Sequence, residues 1–522
     1  MKDRQNGVGR TTDKAEGPPA SMTGAGFETP RIRLPRHRIR PPAAPRRALV
    51  LTFVSVAAWA ATLSVGDRTV ETAVLLALAI GGAGAAAHLV RLRPTVAFGI
   101  IFLLASASQF TIELPLGTMR MEHPAIGFVA LALLIDRRGP LYGLRRLGRS
   151  DLAILALLCG YLAVLTASSV LVAPQPLASL RIVAWTAISL VGSVVAYILL
   201  RTEPVGAEGW YRGSAILLAC TGTAVAVWYW VQGPSEIPGL ANGLLPWRKV
   251  FAYAWEANLY ASFLAAMAPF AVERLRQRQT TQNVVMAAVI LFAIGLGVTR
   301  GAYLGLAAGF AVYVMVLLRR RPIGTWLRPL AFSGLAAVTG VFLSAAILAT
   351  PPGHVPLPGG PASSAPGATL APTPLPEAPD TISHRLERVA PALEDLATSP
   401  WIGLGADSFG QRHADSSRGG APDHIAILVL ALPYEAGIVG ALFFSVAVAL
   451  LLLALLRASR LGWAMGLAAA YLAAIVALLV AYQSTNALVF GLNWLLGGAA
   501  LALAARARDP DAPGKIPSAQ FP

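Results

Sequence analysis

Apolar stretches alternate with short polar connections along almost the whole chain. Many of these stretches are long enough for a helix to cross roughly 30 Å of hydrocarbon, at about 1.5 Å per residue. The pattern predicts an all-α, polytopic transmembrane helix bundle of about fourteen spans, with about twelve as the alternative count. The predicted spans are 48–66, 70–90, 95–113, 121–136, 151–171, 179–200, 211–231, 256–273, 283–299, 301–318, 328–350, 436–456, 461–483 and 487–505.

The spacing of these spans divides the chain into five parts. Residues 1–47 are rich in Arg, Pro and Gly and predict a disordered, basic cytoplasmic tail. Transmembrane helices 1–11 occupy 48–350, one large external loop containing short helices occupies 351–435, and transmembrane helices 12–14 occupy 436–505. Residues 506–522 form a cytoplasmic C-terminal tail. We expect no cleaved signal peptide, because the first apolar run begins only near Ala48.

Composition and charge agree with a membrane domain. The chain of 522 residues is 56% hydrophobic and 13% charged, with a mean hydropathy of +0.61. Its net charge of +16 comes from arginines in alternate connections, as the positive-inside rule requires, and not from a nucleic-acid surface. This charge pattern predicts a multi-pass membrane protein with both termini cytoplasmic. The cysteines, Cys159 and Cys220, lie in apolar runs and indicate neither a disulfide nor a zinc site.

The external loop contains a Pro-rich spacer and an amphipathic segment. Residues 351–380 have no hydrophobic periodicity and predict an extended spacer. A helix follows, with Ser383 as the expected N-cap and Pro400 beyond its end. Its apolar stripe consists of Leu386, Val389, Leu393 and Leu396. This stripe either lies on the membrane surface or caps the helix bundle.

The end of the loop carries a candidate base. Pro433-Tyr434-Glu435 should interrupt the apolar run, giving a short surface helix at 424–432 and a span at 436–456. With Asp423 as N-cap, His424 would lie in the first helical turn, where the helix dipole favours a neutral, basic imidazole. Glu435 would lie on the same helix face as His424 only if the helix continued through Pro433. The alternative for His424 is an ordinary polar residue at the interface.

Several arginines lie on the same expected outer side. Arg300 interrupts an apolar run between two spans, where an ionised group is costly unless it reaches water or meets an anion. A lipid phosphate or diphosphate would suit its guanidinium, and snorkelling to water is the alternative. Arg248 lies in the preceding outer connection, beside Lys249, and Arg181 lies at the start of a span. Solvated loop arginines are the alternative for both.

Other motifs are absent from the sequence. It contains no Walker loop, HExxH, GxSxG or paired acidic motif among the spans, so nucleotide, zinc-peptidase and serine-hydrolase functions lack support. No cofactor and no metal site is expected. Gly-rich stretches such as GLAAGF predict close helix packing through small residues.

An ordered series of motifs resembles the O-antigen ligase/polymerase superfamily. These motifs are ANLYASFLAAMAP, TRGAYLGLAAG, HRLERVAPALEDLATSPWIGLGADSF, and an outer His followed by EAGIVGALFF. The resemblance covers roughly residues 240 to 460. The chain departs from the family pattern at Ile425, where many members have Asn. The spacing from His424 to Glu435 is also about two residues longer than is usual in the family.

The resemblance implies a metal-independent glycosyltransferase of the bacterial inner membrane, with its active site on the external, periplasmic face. Its donor would be an undecaprenyl-diphosphate-linked glycan, and its acceptor a hydroxyl of a glycan, glycolipid or protein. By motif, Arg300 and His424 would be catalytic, and Arg248, Arg300 and Arg385 would bind the diphosphate. Glu435, Arg181 and Asn258 are possible supporting residues. The expected partners also include membrane lipids but no nucleic acid.

Two functions from other classes remain open at this point. A transporter or flippase of lipid-linked oligosaccharides would have a similar number of helices, although such proteins usually place ionisable groups near the bilayer midplane. A membrane scaffold that recruits partners through its Pro-rich loop and basic tail is the third hypothesis.

Overall fold

The computed structural model describes residues 82, 84–107, 111–114, 117–135, 147–232, 257–297, 299–319, 385–413, 424–485 and 488–509, with isolated positions between 331 and 342. The predicted N-terminal tail and span 48–66 lie outside the described residues, as does the predicted C-terminal tail apart from 506–509, where the last helix continues to Arg508. The same is true of most of the predicted spans 70–90 and 328–350, of the Pro-rich stretch 351–380, and of Ser383, Asp423 and Arg248.

The described residues are mostly helical. In chain order the elements are α1 Pro94–Ser106, β1 Thr111–Leu114, β2 Gly117–Arg120, α2 Glu122–Ile135, α3 Arg149–Leu171, α4 Pro176–Leu200, a 3-10 turn Pro204–Gly206, α5 Ala207–Gln232, α6 Ala257–Gln277, α7 Thr281–Leu296, α8 Arg300–Leu318, α9 Val389–Thr398, α10 Ser408–Arg412, α11 Leu428–Ala458, α12 Met465–Ala481 and α13 Gly491–Arg508.

Four of the described helices are long and apolar enough to cross a membrane: α3, α4, α8 and α11. The helices α1, α2, α7 and α12 are also apolar but shorter. The predicted helical membrane protein is therefore confirmed, while the number of spans and the external position of the loop stay predictions.

A short hairpin corrects the purely helical prediction. Strands β1 and β2 pair antiparallel, with Thr111 opposite Arg120 and Leu114 opposite Gly117. Residues 111–113 were predicted as the end of a span and the following residues as a plain connection. The β-branched Thr111 and Ile112 favour extended backbone, and the closely following Gly117 permits a tight return of the chain.

Small residues bring α8 and α12 into close contact, as the Gly-rich pattern predicted. Gly305 and Gly309 lie one turn apart on α8, and a Cβ on either would overlap the carbonyl oxygen of Ala477 or Ala473 on α12. Backbone packing of this kind suits a membrane interior, where association of helices depends on close van der Waals contact. Elsewhere α11 packs along α3, and α13 packs along α4.

We call the end of the bundle that contacts residues 385–413 and 424–427 the loop end, and the other the opposite end. At the opposite end, the carboxylate of Asp151 is 1% exposed and is paired with Arg508 and with Arg201, the latter at 4.0 Å. Glu273, fully buried, is held by Arg276 at 2.5 Å and by the hydroxyl of Tyr313 at 2.6 Å. The arginines neutralise the buried acids. Arg201 and Arg508 join the ends of α4 and α13 to α3, and the hydroxyl of Tyr313 joins α8 to α6.

A second, small hydrophobic core lies at the loop end. It is formed by Ala392, Leu404, Phe409, Ile425, Ala431 and Tyr434, with Leu396 packed against it. The helix α9 thus caps the bundle. Its predicted apolar stripe is only partly correct, because Leu386 and Leu393 are 60% and 52% exposed, whereas the buried position is Ala392.

Candidate functional site

The site is built around a break in α11. This helix has 31 residues and one non-helical position, Gly437, with φ 64° and ψ 178°. A Cβ at this position would overlap the backbone of Trp401, so both the backbone conformation and the close approach require glycine. A break was predicted at Pro433-Tyr434-Glu435; the interruption of this apolar run is confirmed, but it lies at Gly437, two residues after Glu435. Pro433 is the sixth residue of α11 and lies within its first helical segment.

The broken backbone of α11 exchanges hydrogen bonds with the loop after α9. We call residues 400–409 the clamp loop. Before the break, the carbonyls of Tyr434 and Glu435 accept from the N–H groups of Leu404 and Gly405, at 2.8 Å and 3.0 Å. After the break, the N–H groups of Ile438 and Val439 donate to the carbonyls of Pro400 and Trp401, at 2.8 Å and 3.3 Å. The backbone groups that the break releases are therefore satisfied by the clamp loop.

Side chains of α3 fasten the same loop from a second side. The hydroxyl of Ser168 donates to the Glu435 carbonyl at 2.8 Å, and the hydroxyl of Ser169 accepts from the Ala406 N–H at 3.0 Å. Gly405, with φ 96°, lies against Ser169 so closely that a Cβ would touch its Cα. Two helices thus fix the position of the residue that follows, Asp407.

Asp407 has an unusual backbone conformation. Its φ of 54° and ψ of 22° lie in the left-handed region, and no other non-glycine residue among those described has a positive φ. Its N–H points at Oε1 of Glu435 at 3.4 Å. Burial raises the pKa of the Asp407 carboxyl, and the nearby positive charges of His424 and Arg181 reduce that shift. Asp407, Glu435, Arg181 and His424 therefore form one electrostatic cluster at the loop end.

His424 does not lie in a helical turn, which corrects the sequence prediction. Residues 424–427 are non-helical, and α11 begins at Leu428 with Ile427 as its N-cap. The Leu428 N–H donates to the carbonyl of Tyr482 at 3.0 Å, so this segment is held by the turn after α12. His424 itself is exposed, and its carbonyl accepts a hydrogen bond from Arg388 at 3.1 Å.

Arg300 lies beside the turn that follows α12, on the side away from His424. It is the first residue of α8 and is exposed, and the next residue, Gly301, packs directly against Ser484. On the same turn, Oε1 of Gln483 accepts from the N–H of Val429 at 3.3 Å. The turn after α12 therefore separates Arg300 from the segment that carries His424, and both residues belong to the loop end.

A stack of aromatic and basic side chains adjoins the electrostatic cluster. The guanidinium of Arg181 lies 5.4 Å from the ring centroid of Trp185, and that of Arg120 lies 5.3 Å from the same ring. Arg120 is 8% exposed and also stacks on Phe490 at 3.8 Å. Cation–π contacts of this kind hold a guanidinium in place without neutralising its charge.

A separate polar group lies beside the small core of the loop end. The carboxylate of Asp395 accepts hydrogen bonds from Tyr434 at 2.7 Å and is 2.8 Å from Nε2 of His413. Partial burial opposes ionisation, yet these hydrogen bonds and the charges of His413 and Arg412 lower the pKa of Asp395 below its ordinary value. This group joins α9, α10 and α11.

For the remaining predicted site residues, the structure gives their position in the chain and their burial. Asn258 is the second residue of α6 and is half-buried. Arg385 is half-buried and lies three residues before Arg388, whose guanidinium reaches the His424 segment. Arg248 lies outside the described residues.

The described residues contain no cluster of three His, Cys, Asp or Glu side chains that would hold a metal ion. A cavity of about 110 Å³ lies within the bundle, between α3, α4, α11, α12 and α13. Its lining is apolar apart from a few groups such as Ser193, Tyr482 and Asn493, and includes none of the predicted site residues.

Comparison with known families identifies part of the chain. The family model described as O-antigen ligase matches residues 285–445. These residues are similar to that family, and we call them the O-antigen ligase domain. No curated protein sequence matches the chain. This match supports the suspected superfamily for residues 285–445, and at the level of that family it supports a ligase or polymerase type of function.

The O-antigen ligase domain contains most of the candidate site. Its matched range includes Arg300, Arg385, Asp407, His424 and Glu435, whereas Arg181 and Asn258 precede it. Within the domain, the break at Gly437 and the clamp loop bring residues that are distant in sequence to one end of the bundle.

Sequence reasoning missed two residues of this site, Asp407 and Arg388. The run GLGADSF offered one signal, since an Asp among glycines is a residue type that tolerates left-handed backbone. Arg388 had no comparable signal, because its contact with His424 joins segments 36 residues apart.

Proposed function

We propose that the chain transfers a glycan from an undecaprenyl-diphosphate carrier to an acceptor hydroxyl. The observation that carries this proposal is the exposure of Arg300 and His424 at the same end of the bundle, both within the O-antigen ligase domain. An exposed base and exposed guanidiniums are the groups that a sugar hydroxyl and a lipid diphosphate require.

Each residue has a chemical role in this proposal. Arg300, with Arg248 and Arg385, binds the donor diphosphate, and Arg300 also stabilises the charge that develops on the leaving group. His424 is the general base. Arg181, Glu435 and Asn258 are supporting residues, and no metal ion takes part.

The reaction is a substitution at the anomeric carbon of the donor. The acceptor oxygen forms the new glycosidic bond while His424 takes its proton. The bond between the anomeric carbon and the diphosphate oxygen breaks, and the electron pair leaves with the lipid diphosphate. The arginines stabilise the two phosphate groups as their negative charge increases.

The proposal also includes a topology. The loop end faces the outside of the inner membrane, and both termini are cytoplasmic. Residues 351–435 form the external loop, and the parts 1–47, 48–350, 436–505 and 506–522 keep the assignments predicted from the sequence. Support comes from the opposite end, where the arginines Arg201, Arg276, Arg457 and Arg508 lie, in agreement with the positive-inside rule.

The test is reconstitution of the full chain in liposomes with an undecaprenyl-diphosphate-linked oligosaccharide and candidate acceptors. We expect a glycosylated acceptor and released lipid diphosphate. Product length separates a ligase, which adds one donor glycan, from a polymerase, which builds a ladder. His424→Gln should leave the protein folded and eliminate product. Movement of the intact donor across the bilayer without transfer would contradict the proposal and favour a flippase.

A further inference from the structure

The helix α9, together with the helical turn before it, has a second apolar face, which is exposed. Four apolar residues at three- and four-residue intervals form this face, on the side of the helix opposite to Asp395. We call them the exposed stripe: Leu386, Ala390, Leu393 and Ala397. We propose that the exposed stripe and Trp401 lie in the boundary layer between lipid headgroups and hydrocarbon and anchor the loop end to the membrane surface. This inference goes beyond the proposed function.

The length of α11 sets the level of Trp401 relative to the hydrocarbon. After the break, residues 438–458 form a helix roughly 30 Å long at about 1.5 Å per residue, which matches the thickness of the hydrocarbon. The start of this segment is bonded to the clamp loop: the N–H of Ile438 donates to Pro400 at 2.8 Å, and that of Val439 donates to Trp401 at 3.3 Å. Trp401 is thereby held at the boundary of the hydrocarbon, where tryptophan concentrates in membrane proteins.

Trp401 continues the lipid-facing surface of α11. Exposed apolar residues recur at helical spacing along one side of this helix: Ile438, Leu442, Val446 and Leu453. Trp401 is bonded to the upper end of that row, and its own side chain is 67% exposed. An exposed tryptophan beside an apolar row of a membrane-spanning helix is adjacent to lipid.

The end of α3 gives the same level independently. Ser168 and Ser169, which hold the clamp loop, are followed at once by Val170 and Leu171, and both of these apolar side chains are exposed. Since α3 is also long and apolar enough to cross a membrane, its last turn lies at the boundary of the hydrocarbon. Two helices therefore place the clamp loop at this boundary.

The exposed stripe has the amphipathic pattern of a helix at a membrane surface. Exposed acids, Glu387 and Glu394, directly follow Leu386 and Leu393 and form a polar edge beside the stripe. An interfacial helix buries its apolar side among the headgroups and keeps its charges in water. On its other side, α9 packs Ala392 into the small core and is tied to Tyr434 by Asp395 at 2.7 Å. The helix thus caps the bundle with one face and has the other available for lipid.

The bilayer is the occupant that the surroundings favour. A water-soluble partner or a second copy of the chain would also cover an apolar face. Neither would account for the continuity of Trp401 with the lipid-facing row of α11, or for the common level of α3 and α11. With the proposed function, on which this one consequence rests, the clamp loop would lie at the level of the donor diphosphate.

The test measures the accessibility of spin labels in the full chain, reconstituted in vesicles of phosphatidylethanolamine and phosphatidylglycerol. Cys159→Ala and Cys220→Ala first remove the native thiols, which are exposed. Single labels are then attached in Leu393→Cys and in Ala397→Cys. We expect each label to collide more often with oxygen, which concentrates in the bilayer, than with a water-soluble nickel chelate.

The matched controls are the next residues along the helix, in Glu394→Cys and Thr398→Cys. Both positions are exposed but lie outside the stripe, so the nickel chelate should reach their labels more often than oxygen does. Stripe labels reached mainly by the chelate would overturn the proposal and leave the stripe to a water-soluble partner. Stripe labels shielded from both reagents would also overturn it, because a protein surface such as a second copy would then cover the stripe.

Trp401 provides a second readout that needs no label on the protein. The fluorescence that is lost in Trp401→Phe belongs to this residue among the 11 tryptophans. Lipids with a nitroxide near the headgroup should quench that fluorescence more strongly than lipids with a nitroxide at the end of the acyl chain. Absence of quenching, or stronger quenching from the chain end, would refute the position of Trp401. Neither measurement uses donor or acceptor, so failure of the proposed function would leave this result unaffected.

Discussion

Asp151 at the opposite end of the bundle and Asp407 at the loop end are both carboxylates near arginine, but their surroundings differ. Asp151 is 1% exposed and bonded directly to Arg508. Within the described residues Asp407 forms no direct salt bridge, and Arg181, whose positive charge acts on its carboxylate, is exposed. Charges that neutralise one another hold helices together, whereas exposed cations on a rigid frame are available to an anionic ligand.

The largest effect should come from Arg300. Arg300→Ala should lower kcat/KM for a lipid-diphosphate donor about 10²-fold to 10³-fold, because a preorganised donor to the developing negative charge is lost. Arg319, exposed at the other terminus of α8, is the matched control, and Arg319→Ala should leave the rate unchanged. Equal rates for the two variants would remove the functional difference between the ends. Steady-state transfer assays in liposomes measure both.

The next effect should appear in stability at the opposite end. Asp151→Asn leaves the partly buried Arg201 and Arg508 without their counter-charge, and we expect the free energy of unfolding to fall by about 2–3 kcal/mol. The donor KM should not change. Thermal unfolding followed by tryptophan fluorescence checks the first expectation. A stable variant with altered KM would show that this end is not purely structural.

A smaller loss of stability should follow from closing the break in α11. Gly437→Ala introduces a Cβ against Trp401 and strains a positive φ, which should cost about 2 kcal/mol and loosen the clamp loop. Gly213, exposed on α5 with open space beside it, is the control, and Gly213→Ala should be neutral or slightly stabilising. Hydrogen exchange at residues 403–409 should rise in Gly437→Ala only.

The smallest effect concerns Asp395. Its folded-state pKa is lowered, so its contribution to stability is fully present above the ordinary value of 3.8 and is lost as pH falls through the lower folded value. Asp395→Asn should destabilise the protein by about 0.5–1 kcal/mol at neutral pH. The difference from the wild type should shrink below pH 3.8, as measured by thermal midpoints across the pH range. A constant difference would mean that shape, and not charge, is what Asp395 contributes.

The helices of this protein follow from local pattern, and the site does not. The predicted span 151–171 lies within the observed α3, Arg149–Leu171, because its long apolar run begins after Asp151 and Pro174 follows closely on its end. The break in α11 was predicted at Pro433 and occurs at Gly437, since its position depends on the approach of Trp401 from another segment. Long-range contacts of that kind have no signature in a single run of residues.

In the candidate site, too, some residues could be predicted from local sequence and others depend on long-range contacts. Arg300 and His424 were predicted from their types and from family motifs, and the structure brings both to the loop end. Asp407 and Arg388 were missed because their significance depends on contacts with Glu435, Ser169 and His424, which lie elsewhere in the chain. The helical setting of His424 was wrong because a tertiary bond to Tyr482 overrides the local capping pattern.

The double attachment of the clamp loop has a consequence for how the chain can vary. Because residues 400–409 are bonded to α3 on one side and α11 on the other, their position does not depend on the path that leads to them. Closing a longer flexible connection costs only about 0.6 kcal/mol for each doubling of its length. We therefore expect that evolution or an engineer can alter the length of the Pro-rich sequence 351–380 without displacing the clamp loop.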